Sequence, residues 1–238
     1  MKRQFFSVFA CFLSLLAFSQ KTVERQDLLW LKYSANYKLN EQWSLSYYIE
    51  DRNYTKDFRS NHFINSITAK RKLKNDWSLG FGYLYFILTL PQDPDLAAVF
   101  TRPEHRSFQY LSFNQALSQK WSFNLRYQVE QRLRQNSDAV GRLPGYNTEI
   151  RIRQKASLKY KISERLDAIL YDEVMIHFGE NVSTNTFDQN RLSLGWNWQM
   201  MEQVSVGLSY IHWYQQRGNG ESYYQRNIIS LAVNHQWN

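Results

Sequence analysis

The chain has 238 residues, a length for one domain, and its 29 basic against 21 acidic residues give a net charge of +8. Its single cysteine excludes an internal disulfide. Aromatic residues make up 16% of the chain while the mean hydropathy is −0.57. That balance excludes a bundle of membrane-spanning helices, yet strands apolar on one face only would reconcile it.

In chain order, residues 1–19 read as a cleaved export signal. Lys2 and Arg3 form its basic start, and Phe5 to Phe18 is apolar but too short to span a membrane as a helix. Ala17 and Ser19 put small residues where a signal peptidase reads. Cys11 lies inside this segment, so residues 20–238 form a cysteine-free barrel domain. Removing Lys2 and Arg3 from +8 leaves +6.

From there the chain alternates with period two. Leu29, Leu31, Tyr33, Ala35 and Tyr37 share one parity, then Trp43, Leu45, Tyr47 and Ile49. Phe63, Ile67 and Ala69 follow, then Trp77, Leu79, Phe81, Tyr83, Tyr85 and Ile87. Ser107 to Leu117 alternates less clearly. WSFNLRYQVEQRL, Trp121 to Leu133, separates Trp121, Phe123, Leu125, Tyr127 and Val129 from Arg126, Glu130 and Arg132. Ala156, Leu158 and Tyr160 oppose Arg151, Arg153 and Lys155. Four further segments end at Val233 and Trp237. Such repetition over about 10–14 residues is a strand signal.

Short turns at residues 40–42, 74–76, 118–120, 163–165 and 201–203 take turns with longer polar stretches around 54–58, 91–105, 134–147, 179–186 and 216–222. This predicts an all-β fold, a transmembrane antiparallel up-and-down barrel with short periplasmic turns and longer extracellular loops. Trp43, Trp77 and Trp121 each follow a short turn and read as a periplasmic aromatic girdle. A soluble sandwich or lipocalin-like barrel also alternates, but it would put the arginines in water and crowd large aromatics into a small interior. Eleven strands can be counted. Because single-chain bacterial barrels normally have an even number, about 12 are expected and 10 are possible, with Gln20 to Asp27 the candidate extra strand.

Several stretches carry a family likeness: WSLSYYIEDR at Trp43, VEQRL at Val129, TEIRIRQK at Thr148, YDEVMIHF at Tyr171 and FDQNRLSLGW at Phe187. With the export signal, they make the chain resemble the bacterial outer-membrane barrels of the domain of unknown function numbered 2490. The resemblance implies a Gram-negative outer-membrane location and supplies no catalytic residues.

Parity places a charge network in the lumen: Glu50, Arg52, Arg126, Glu130, Arg132, Arg151, Arg153, Lys155, Glu173 and Arg191, with Glu149, Lys70 and Lys72 on the same faces. Such a lining either selects a small anionic solute or fills a narrow barrel with ion pairs. Glu130 is expected to pair with Arg151 or Arg153. An alternative activity is a lipid-active hydrolase using His105 and Ser107, a His-x-Ser pair on one strand face. Asn114 falls on the opposite parity and is a poor third member. The histidines have no metal-ligand spacing, so neither metal nor cofactor is implied. The expected partners are outer-membrane lipid and lipopolysaccharide, the latter at rim residues such as Arg134 and Arg142, and the barrel-assembly machinery during insertion. Inward arginines and an export signal argue against nucleic acid.

Overall fold

Eleven strands run in chain order: β1 (Thr22–Lys38), β2 (Trp43–Tyr54), β3 (Ser60–Lys72), β4 (Trp77–Leu90), β5 (Phe100–Ala116), β6 (Trp121–Ser137), β7 (Arg142–Lys161), β8 (Leu166–Phe178), β9 (Phe187–Met201), β10 (Val204–Gln216) and β11 (Ser222–Trp237). They come from a computed structural model that describes residues 21–179, 182 and 185–237. The export signal at 1–19 lies outside the described residues.

Neighbours in sequence pair antiparallel, and β1 pairs β11 in parallel, from Thr22 opposite Ser222 to Tyr37 opposite Trp237. The barrel is therefore closed, with eleven strands among the described residues. Closure leaves no sheet edge without a partner, which hydrocarbon would penalise. The expected even number gives way here. Residues 22–27 do not form a twelfth strand but are the first part of β1. With an odd count the two ends of the sheet meet in parallel, as they do in the 19-stranded mitochondrial barrel.

Alternation does what the sequence implied on the outer surface. Leu31, Ile67, Phe81, Tyr127, Leu170, Leu194 and Leu231 project outward and are exposed in the isolated chain. This apolar belt faces lipid, and the protein is an outer-membrane barrel. No helix among the described residues is long and apolar enough to cross a membrane.

Several strands exceed the roughly 9–11 residues that a tilted strand needs to span hydrocarbon. β7 has 20 and β6 has 17. Much of the expected loop at 134–147 is consequently strand, and only residues 138–141 separate β6 from β7. Beyond the bilayer both strand faces meet water or polar groups, so apolar alternation fades although pairing continues. The same holds for 100–105, which belong to β5. Pro103 is tolerated there because β5 pairs with β6 only from Glu104 onward.

Inside, two glycines of β4 let large rings lie across the wall. A Cβ on Gly80 would fall 2.2 Å from the Tyr110 ring, and one on Gly82 would fall 2.2 Å from the Phe108 ring. Backbone approach of this kind is a standard use of glycine within a strand.

Candidate functional site

The lumen has two unlike sectors. On β5 to β9 it is ionic. Register sets Glu130 opposite Arg151, Arg132 opposite Glu149, Lys155 opposite Glu173 and Glu173 opposite Arg191. Opposite charges thus face one another on neighbouring strands, and long arginines reach diagonally to more than one acid.

Glu130 is fully buried. Arg153 donates to it at 2.6 Å, with Arg106 and Arg151 each 3.8 Å away. Arg153 also contacts Glu173 at 2.8 Å, and Arg126 reaches Glu173 at 3.3 Å. Glu104 receives Arg106 at 2.7 Å, Arg132 closely and Arg134 at 3.4 Å. Glu149 receives Arg132 at 3.1 Å and Arg134 at 2.9 Å. Asp188 lies 2.8 Å from Arg151. On β2, Glu50 and Arg52 pair with each other, and Arg52 lies 3.6 Å over the Trp30 ring. Lys155 is 3.6 Å over the Tyr171 ring.

On β1–β4, β10 and β11 the lumen is largely apolar. Leu28, Trp30, Tyr54, Ile211, Trp213 and Ile228 form one buried cluster; Ile64, Leu84, Phe86 and Leu88 form another, joined by Phe108 from the adjoining β5. Trp30 and Trp213 meet edge to face at 5.9 Å. Arg191 and Arg226 lie over Trp213 at 4.5 and 4.4 Å. His62 of β3 is 6.3 Å from Trp213 of β10 and Arg191 of β9 is 5.5 Å from Trp30 of β1. These contacts cross the lumen, so much of its width is filled by side chains.

Several lumen residues escape parity reasoning. Asp188 shares parity with the outward Leu192 and Leu194, but a bulge at Met175/Ile176 makes it the extra residue of β9 and turns it inward. Glu104 and Arg106 alternate with His105 and Ser107, yet they follow Arg102-Pro103, which reads as a loop. Arg134, expected on the rim towards lipopolysaccharide, instead bridges Glu104 and Glu149. Arg142 donates to Thr101. Arg226 is wholly buried and bonds Gln26 at 2.7 Å and Gln215 at 2.5 Å.

His105 and Ser107 are not joined. Ser107 Oγ donates to Gln131 at 2.9 Å, whereas His105 Nδ1 meets the Tyr83 hydroxyl at 2.5 Å. Both lie on the outer parity, and the pair lacks the nucleophile–base hydrogen bond that such catalysis uses. No group of three or more His, Cys, Asp or Glu could hold a metal ion among them either. Trp43, Trp77 and Trp121 begin β2, β4 and β6 at the short-turn end. Trp77 packs on Phe113 at 5.1 Å and Trp121 on Tyr160 at 4.6 Å.

Between the sectors, at the long-loop end, lies a cavity of about 390 Å³. Nine arginines line it against two carboxylates, those of Glu104 and Asp188. Its remaining lining includes Ile64, Leu84, Phe86, Leu88 and Trp213, with Gln92 and Gly218 from the loops above.

The model of the family described as "Protein of unknown function (DUF2490)" matches residues 28–224. No curated protein shows significant sequence similarity to the chain. Among solved structures the barrel is similar to a NanC porin, with a TM-score of 0.50 at 14% identity over 82% of this chain and 86% of that one. LpxR from Salmonella typhimurium gives a TM-score of 0.49 at 10% identity over 81% and 83%. At such identities the likeness concerns the fold alone.

Proposed function

The chain belongs to the DUF2490 family, and from that premise we propose that it is an anion-binding barrel whose long-loop end faces outward and captures a small acidic solute. The observation that carries this reading is the imbalance of the cavity lining, nine arginines to two carboxylates. The ion pairs below the cavity consume their own charge. Of the nine around it, seven also pair with acids, and Arg102 and Arg191 are left without a carboxylate partner among the described residues. That surplus lies in a partly desolvated space, where attraction for an anion is stronger than in water. The filled lumen below supports capture and restricted passage, not an open stream of water.

Isothermal titration of the barrel in lipid nanodiscs with inorganic phosphate tests this. A saturable site that weakens as chloride is raised is expected; heats equal to those of empty nanodiscs would refute the reading. For orientation, a cysteine replacing Asn219 should react with an impermeant maleimide on intact cells, and one replacing Asn75 should not. The reverse pattern would overturn the outward placement of the loops.

A further inference from the structure

The two sectors meet twice around the cavity, and at each seam an arginine stands directly beside an apolar side chain. Between β4 and β5, Leu88 is the registered partner of Arg102. Between β9 and β10, Trp213 is the registered partner of Arg191. All four line the cavity. Arg102 donates to Ser137 Oγ at 3.2 Å, and neither it nor Arg191 has a carboxylate partner among the described residues. Trp213 is buried, and its indole Nε1 has no hydrogen-bond partner there, nor has Arg191 Nε. Buried N–H donors without acceptors are costly, and both of these belong to side chains that border open space. Phe86 and Leu88 continue the apolar wall on the opposite side.

We infer that this cavity takes an amphipathic organic acid, a small carboxylate with an aromatic or short aliphatic body. This rests on the anion-binding reading and names its ligand class. The carboxylate lies at one of the two arginine seams, where a planar guanidinium fork matches its two oxygens. The indole N–H of Trp213 offers a further donor. The body lies on Phe86, Leu88 and the Trp213 ring. A purely inorganic anion would leave that apolar wall wet, and a neutral apolar solute would leave the arginines and the indole N–H without an acceptor. The volume falls in the range of about 300–1,000 Å³ usual for small-molecule sites, towards its lower end.

The test uses the full barrel in nanodiscs, empty nanodiscs as control, and tryptophan fluorescence with isothermal titration as readouts. Phenylacetate, acetate, phenylacetamide and inorganic phosphate are the probes. Phenylacetate is expected to bind at least about tenfold more tightly than either acetate or phenylacetamide, since a lost apolar body or a lost charge-assisted bond each removes that much. At least one of Arg102→Gln and Arg191→Gln should reduce the preference for phenylacetate over phenylacetamide, and an unchanged preference in both variants would overturn the placement of the carboxylate at the seams. If phosphate and acetate bind as well as phenylacetate, the amphipathic inference is overturned and the anion reading stands. If phenylacetamide matches phenylacetate, the acid half of the inference is wrong. If none of the four binds, both readings fall together.

Discussion

The ionic sector on β5 to β9 and the aromatic sector on β1–β4, β10 and β11 solve the same problem differently. Each must fill a lumen about as deep as the bilayer. The ionic sector does so with long side chains whose charges are matched, acid by arginine, across neighbouring strands. Its cohesion is conditional: a desolvated charge is tolerated only while its partner remains. The aromatic sector fills space with rings and branched chains; its Arg226 lies on indole and phenol faces and not on an acid, and its Arg52 lies on the Trp30 ring while paired with Glu50. Its cohesion is dispersive and degrades gradually as volume is lost. Where the two sectors adjoin, neither solution is complete, and that is where the cavity lies.

Single substitutions should expose this difference. Glu130→Gln leaves Arg153, Arg151 and Arg106 without their shared carboxylate, and breaking one side of a buried pair costs about 3–5 kcal/mol. Its urea midpoint of unfolding should fall well below that of wild type, whereas Glu41→Gln in the exposed 39–42 turn should leave the midpoint where it was. Adding Arg153→Gln to Glu130→Gln should cost much less than the two single changes summed, because partners in one network are not additive. Strict additivity would mean that the ionic sector is solvated and not a packed network.

In the aromatic sector, Leu84→Ala should cost about 2–5 kcal/mol through lost transfer energy and a residual void. Here no second substitution among the lumen charges should recover it. Rescue by removing a lumen arginine would show that the two sectors are held by the same force. Smaller still is Trp121→Leu at the short-turn end. It gives up the ring contact with Tyr160 and retains apolar contact with lipid, a loss of about 0.5–1.5 kcal/mol. An effect as large as that of Leu84→Ala would place Trp121 in the packed interior, not at the interface.

The two sectors also differ in how far the sequence discloses them. In TEIRIRQK and WSFNLRYQVEQRL one parity is apolar and the other charged, so the lipid face and the ionic lumen separate on inspection. Glu130 beside Arg151 and Arg153 follows from counting up two adjacent strands. The aromatic sector is hidden because both of its parities are apolar. In YLYFILTL, Tyr83 to Leu90, the lumen residues Leu84, Phe86 and Leu88 alternate with outward Tyr83, Tyr85 and Ile87. Period two is present there, but hydropathy no longer labels its faces. Trp30 and Trp213 are concealed in the same way.

Other omissions have local causes. Asp188 is brought inside by a bulge, and a one-residue slip reverses every parity argument beyond it. Glu104 and Arg106 sit past the lipid belt, where outward residues cease to be apolar. Eleven periodic segments can be counted, but the even-number rule turns that count into an expectation of about 12 strands. What the sequence did not disclose is the parallel β1–β11 closure that permits an odd count, since pairing direction between distant segments leaves no mark on hydropathy.

The claim that joins these observations is that the surplus positive charge collects in the cavity between the sectors, and not evenly over the lumen or on the surface. Anomalous diffraction from crystals of the barrel soaked in bromide would test it most directly. Bromide is expected inside the barrel at the long-loop end, within contact distance of Arg102 or Arg191 and of Leu88 or Trp213. Bromide confined to lysines of the short turns, with no anomalous density in the lumen, would contradict the account.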